Sequence, residues 1–162
     1  MSLLVVANFK SHQTQKDVDF WISQVKPGTS LVVAPSYPHL ATFAAHGFAL
    51  AGQDVSPFPP GSYTGAINAH LLAELGVTHC IVGHSERRLY FHETSVDIAQ
   101  KTQELCDQGI IPIICQRAQD IAPDRAALDD SCLTRAHFCY EPENDIGGTV
   151  TAPVAQIQAV IT

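Results

Sequence analysis

An α/β fold with a parallel sheet is what the 162-residue sequence predicts, on three observations. Short, continuous apolar runs recur along the chain, as suits strands buried on both faces. Between them lie stretches with apolar residues at helical spacing. Glycines stand where such a stretch gives way to the next run, the place of a left-handed helix cap.

The first run, Leu3 to Ala7, precedes the helical pattern Val18, Trp21, Ile22 and Val25, which Gly28 closes. Leu31 to Ala34 is the second run, and Gly47 introduces the third, Phe48 to Ala51. Leu71, Leu72 and Leu75 mark a shorter helix that ends at Gly76 and leads to the fourth run, Cys80 to Val82. Ile98, Thr102 and Leu105 form the next stripe, followed by Gly109 and the fifth run, Ile110 to Cys115. Phe138 to Tyr140 is the sixth run, and Val154, Ile157 and Ile161 make the last stripe. Six strand-helix units in 162 residues give 27 residues each, a regularity that fits either a doubly wound sheet or a closed barrel. No linker divides the chain, so residues 1–162 are expected to form one domain. The turn-rich segment Pro57 to Ser62 reads as a long functional loop inside one connection.

Composition narrows the function. With 46% apolar and 15% charged residues the chain is not of the disordered class. Nine Lys and Arg against sixteen Asp and Glu give a net charge of -7, and the basic residues are scattered, so nucleic acid is not an expected partner. No apolar run approaches the roughly 18 residues of a membrane span, and the amino-terminal run is too short for a signal peptide, so no membrane partner and a cytoplasmic location are expected. The five cysteines include no CxxC pair, and the seven histidines other than His84 lack metal-site spacing. They read as reduced, mostly buried thiols and structural imidazoles, with no metal. P-loop, GxGxxG and GxSxG motifs are absent.

Polar residues that end a strand are informative in this class, because α/β sites form beyond the carboxyl ends of the strands. The first run leads into Asn8-Phe9-Lys10, the fourth into Gly83-His84-Ser85-Glu86-Arg87-Arg88, and the sixth into Glu141-Pro142. In a parallel sheet Asn8, Lys10, His84 and Glu141 emerge on one rim. A carboxylate, an imidazole, a fixed cation and an amide together suit proton transfer beside a carbonyl, with the carboxylate as base and the others stabilising an oxyanion. Each also has a plainer reading: Lys10 as a solvated strand end, Glu141 as a loop residue, His84 as a helix cap, and Glu86 in a structural ion pair with Arg87 or Arg88.

The stretch Gly83 to Arg88 with Tyr90-Phe91 resembles a signature of the triosephosphate isomerase family. Ala7-Asn8-Phe9-Lys10 is similar to that family's Gly-Asn-Trp-Lys, and Gly52 to Ser56 with Tyr63-Thr64-Gly65 is similar to its third loop. Ile111 to Cys115 and Tyr140-Glu141-Pro142 follow in the family's order, so the resemblance spans nearly the whole chain. It implies a TIM (β/α)₈-type barrel, of which about six βα units are present. It also implies a cofactor-free aldose-ketose isomerisation of dihydroxyacetone phosphate and D-glyceraldehyde 3-phosphate through an enediolate, as in glycolysis and gluconeogenesis.

Carried over position by position, Glu141 is expected to be the base, His84 the electrophile that shuttles the oxygen proton, and Lys10 the positive charge on the substrate. Asn8 is expected to hydrogen-bond the substrate, and Gly147, in the lid after the glutamate, to donate its backbone amide to the phosphate. Thr64 is expected at a partner subunit's site in a homodimer. The lid departs from the family at Glu143-Asn144-Asp145 and Gly148-Thr149-Val150, and Ala66 replaces a usual acid. A full barrel needs roughly 250 residues. The expectation is therefore a gap between the sixth and first strands, the sequence being either a piece of a longer protein or a partial barrel. The alternative function is a catalytically weakened isomerase-like protein that binds a sugar phosphate or a partner subunit.

Overall fold

The computed structural model describes residues 3–142 and 151–161. Six strands, β1 (Val5–Asn8), β2 (Leu31–Ala34), β3 (Ala49–Gly52), β4 (Val77–Val82), β5 (Ile111–Gln116) and β6 (His137–Tyr140), form one sheet. They lie side by side in chain order and all neighbours are parallel. A doubly wound sheet reverses its strand order at a switch point, and this one does not. Barrel-type winding is therefore the choice between the two architectures that the sequence pattern left open.

The helices of the crossovers are α1 (Gln15–Gln24), α2 (Leu40–Ala45), α3 (Ala69–Glu74), α4 (Ser85–Tyr90), α5 (Ser95–Asp107), α6 (Ile121–Ala127), α7 (Asp130–Leu133) and α8 (Val154–Ile161). Thr14 starts α1 and Thr94 starts α5, each through a capping box with the Asp three residues on. Alternation along the strands sorts the apolar side chains into two layers. Val33, Leu50, Val82 and Ile114 point to the helices and meet Val18, Phe43, Leu72, Ile98 and Leu105. Val32, Ala34, Ala51, Ile81, Ile113 and Cys115 face the concave side as a second cluster. Burial on both faces is why these strands read as unbroken apolar runs rather than as alternating ones.

Two local expectations are corrected. Gly28 is not a left-handed cap: α1 stops at Gln24, and its cap residue Val25 is already extended at φ -113°. Pro27 accounts for this, because a proline holds the residue before it out of the helical region. Gly47, Gly76 and Gly109 do cap in the left-handed region, at φ 77°, 76° and 74°. In α3 only Leu72 of the leucine stripe is fully buried, while Leu71 and Leu75 are exposed. A six-residue helix offers the core little more than one buried turn.

β1 and β6 are the edges of the sheet, and among the described residues neither pairs with a further strand. The expected gap lies there, and Leu4, Val5 and Phe138 beside it are exposed. No helix among the described residues is long and apolar enough to cross a membrane.

Candidate active site

Parallel winding brings the carboxyl ends of β1, β4 and β6 to one rim, and Asn8, Lys10, His84 and Glu141 line a common cavity of about 500 Å³ there. The first of these ends is fixed by Phe9. Its ring packs edge-on against Trp21 at 5.2 Å and Phe43 at 5.6 Å, on the helix side of the sheet. Its neighbours Asn8 and Lys10 are thereby turned to the rim.

Lys10 sits at φ 51°, a left-handed conformation that costs a residue with a Cβ on the order of 1–2 kcal/mol. Three hydrogen bonds hold it there. Asn8 Oδ1 accepts the Lys10 N–H at 3.0 Å, while Ser36 Oγ and Gln53 Nε2 donate to the Lys10 carbonyl at 3.0 and 2.8 Å. Gln53 also donates to the Ala34 carbonyl at 2.8 Å, so one amide ties the ends of three strands together. Ser36 and Gln53 belong to the site's framework, and sequence reading did not single them out. Asn8 spends its carbonyl on this turn and keeps its amide hydrogens for another acceptor.

At the end of β4 the chain turns sharply into α4. Gly83 makes the turn at φ 68°, where a Cβ would meet the Arg88 guanidinium at 2.8 Å and the Cys115 carbonyl at 3.1 Å. His84 then caps α4, and its Nδ1 accepts the backbone N–H of Glu86 at 3.3 Å. The cap and the functional readings of His84 are thus compatible: with Nδ1 accepting, the neutral ring carries its proton on Nε2. That nitrogen lies 3.2 Å from Glu141 Oε1. The Glu141 carboxylate also accepts the Ser85 backbone N–H at 2.9 Å and the Ser85 hydroxyl at 3.2 Å. The two side chains are 14% and 13% exposed, enough contact with the cavity to meet a small ligand.

Glu86 does not pair with Arg87 or Arg88. Its Oε1 accepts Lys10 Nζ at 2.9 Å, and its Oε2 lies 3.5 Å from His84 Nδ1. The ion pair near the site is real but its partner is across the rim. Arg87 instead meets Asp54 at 2.8 Å and Glu93 at 2.5 Å, and the buried Lys101 bridges the same two carboxylates. Burial pushes the Asp54 carboxyl up against the pull of Lys101 and Arg87. Arg88 turns inward to Asp124, which is fully buried.

Thr64 is not brought to this rim within the chain. It lines a separate cavity of about 420 Å³ with Phe58, Tyr63, Arg87 and Lys101. Gly147 and the lid residues Glu143 to Val150 lie outside the described residues. Among the described residues no group of three or more His, Cys, Asp or Glu is placed to hold a metal ion.

A carboxylate, an Nε2 donor and an ammonium border one cavity, a set whose chemistry suits moving a proton next to a carbonyl and steadying the charge that results. Residues 3–162 match the family model described as triosephosphate isomerase. The triosephosphate isomerase of Xylella fastidiosa (strain M12) is 32% identical over 181 residues, covering 97% of this chain and 73% of that protein. That of Xanthomonas campestris pv. campestris (strain 8004) is 34% identical over 181 residues, with 97% and 72% covered. That of Thermus thermophilus is 36% identical over 122 residues, with 70% and 49% covered. With a family model that runs through residues 3–162 and relatives 32–34% identical over 97% of its length, this chain belongs to the triosephosphate isomerase family.

Proposed function

We infer that this chain interconverts dihydroxyacetone phosphate and D-glyceraldehyde 3-phosphate, an aldose-ketose isomerisation that passes through an enediolate. The observation that carries this reading is the 3.2 Å approach of Glu141 Oε1 to His84 Nε2 in a cavity that Lys10 also lines. Glu141 takes the proton from the hydroxymethyl carbon, and the electron pair moves onto the carbonyl oxygen. His84 Nε2–H donates to that oxygen and recovers the proton from the neighbouring hydroxyl. Glu141 returns its proton to the adjacent carbon, so no atom is gained or lost and no electron leaves the substrate.

Lys10 compensates the negative charge of the phosphate ester and of the enediolate, and Asn8 offers its free amide hydrogens. Gly147 is proposed to donate its backbone amide to the phosphate. The carboxylate starts on Ser85, so binding of substrate has to draw it from the Ser85 donors to the carbon. A coupled assay that follows glyceraldehyde 3-phosphate from dihydroxyacetone phosphate tests the reading: turnover is expected, and its absence from folded protein would sink it.

A homodimer belongs to the same proposal. Phe58 and Tyr63 stack at 4.7 Å on the loop between β3 and α3, and both remain 44% exposed. A stiff apolar tip of this kind suits insertion into a neighbour, where Thr64 would reach the second site. A neighbouring cavity of about 210 Å³, bordered by Lys10, His84, Glu86 and Phe91, offers the receiving surface. Sedimentation is expected to give a dimer at micromolar concentration; monomer alone would refute it. The five free cysteines support a reducing compartment such as the cytoplasm.

A further inference from the structure

We propose that Cys115 and Cys139 form an oxidisable dithiol in the mouth of the site, closed to a disulfide bridge by a small disulfide of the glutathione class. The pair is set by the sheet. Cys115 on β5 and Cys139 on β6 are partners in register, so their side chains leave the same face of neighbouring strands. Such strands run about 4.8 Å apart, inside the Cα separation of about 4.4–6.8 Å that a disulfide spans. Each sulfur acts electrostatically on the other as a near neighbour. Both line the cavity of about 500 Å³ that also holds His84 and Glu141. Cys115 is buried, whereas Cys139 is exposed to that cavity.

The two thiols are unequal in a way that assigns the steps. The Cys139 thiol, open to the cavity, is held below its ordinary value by the neighbouring Cys115, although burial and the Glu141 charge oppose it. The neighbouring Cys139, with burial next, pushes the Cys115 thiol up. Cys139 is therefore the attacking thiolate. It displaces one thiolate from the small disulfide and becomes a mixed disulfide. The Cys139 charge that restrained Cys115 is then gone. Cys115 gives its proton to the departed thiolate and attacks the Cys139 sulfur, releasing a second thiolate, which takes from water the proton that Cys139 lost on ionising. Two electrons pass from the cysteines to the small disulfide, one S–S bond breaks and one forms. Cys106 and Cys132 are both buried, so a small disulfide does not reach either sulfur, and burial pushes the Cys106 thiol up to about 12.

Glu141 follows Cys139 by two residues, so a bridge ties the segment carrying the base to β5. This consequence rests on the isomerase reading; the chemistry of the pair does not. Treatment of the chain with oxidised glutathione, followed by alkylation and peptide mapping, tests it. Free thiols are expected to fall from five to three, with a cross-linked peptide joining Cys115 to Cys139 and no glutathione retained. Cys139→Ala is expected to keep every remaining thiol free, and Cys115→Ala to stop at a glutathione adduct on Cys139. Five free thiols after treatment, or a bridge mapped to Cys106 and Cys132, would overturn the proposal. In the assay of the preceding section the bridged protein is expected to lose most turnover and to regain it with dithiothreitol. Full turnover with the bridge mapped would overturn the link to Glu141, whereas a reduced protein without turnover would count against the isomerase reading alone.

Discussion

Replacing Glu141 with Gln is expected to lower kcat by about 10²–10⁴-fold, equivalent to roughly 3–5 kcal/mol of lost transition-state stabilisation. The variant separates chemistry from architecture. A Gln side chain has the same length, and its carbonyl oxygen can still accept the Ser85 N–H that Glu141 Oε2 accepts at 2.9 Å. Only the capacity to take a proton is removed. Thermal unfolding should therefore stay close to that of the parent, and a phosphate-bearing analogue of the enediolate should still bind measurably. His84→Gln is expected to lower the rate by a comparable factor through loss of the Nε2 donor. The parallel assay of both variants checks the assignment, and a Glu141→Gln protein turning over at nearly the parental rate would defeat it.

The sequence made the rim legible because of what a parallel sheet does to strand ends. Asn8, His84 and Glu141 each follow an apolar run, and once the runs are parallel their carboxyl ends have only one side to emerge on. The strands themselves were legible because they are apolar on both faces, although β4 starts at Val77, three residues before the apolar run that marked it. Thr78 and His79 broke the run: they stand at the amino-terminal end of the strand, where Thr78 is exposed. The missing parts were those where a side chain acts on a distant backbone. Gln53 grips the carbonyl of a residue 43 positions away, and nothing local in its surroundings announces it. Glu86 was paired with its sequence neighbours by the plainer reading, but on a helix residues one and two apart diverge from each other. Lys10, reached only through the fold, is its partner.

Arg88 and Asp124 are the other contact that local reading could not find, and they carry the largest expected effect on stability. Asp124 has no solvent exposure and accepts from Arg88 Nη2 at 2.6 Å, Arg88 Nη1 at 3.2 Å, Ser95 Oγ at 2.6 Å and Gln116 Nε2 at 2.9 Å. Arg88 in turn donates to the carbonyls of Gly83 at 2.8 Å and Cys115 at 3.2 Å, tying the end of β4 to the end of β5. Asp124→Ala would leave the guanidinium, at 7% side-chain exposure, with only the more distant Asp120 carboxylate at 3.6 Å, and the Ser95 and Gln116 donors without their acceptor. Removing one partner of a buried pair typically costs about 3–5 kcal/mol, because the remaining charge is held away from water. Urea unfolding is expected to show a loss of that size. Asp124→Asn, which keeps an acceptor but not the charge, should lose less. Replacing both partners with Arg88→Met and Asp124→Leu should recover much of the Asp124→Ala loss, since no lone charge then remains. A loss below about 1 kcal/mol for Asp124→Ala would show that water reaches Arg88 and that the pair does not hold the strand ends. Where the strand ends do loosen, Gly83 moves with Arg88, and His84 is the next residue along, so turnover per folded molecule should fall in the order of the stability losses.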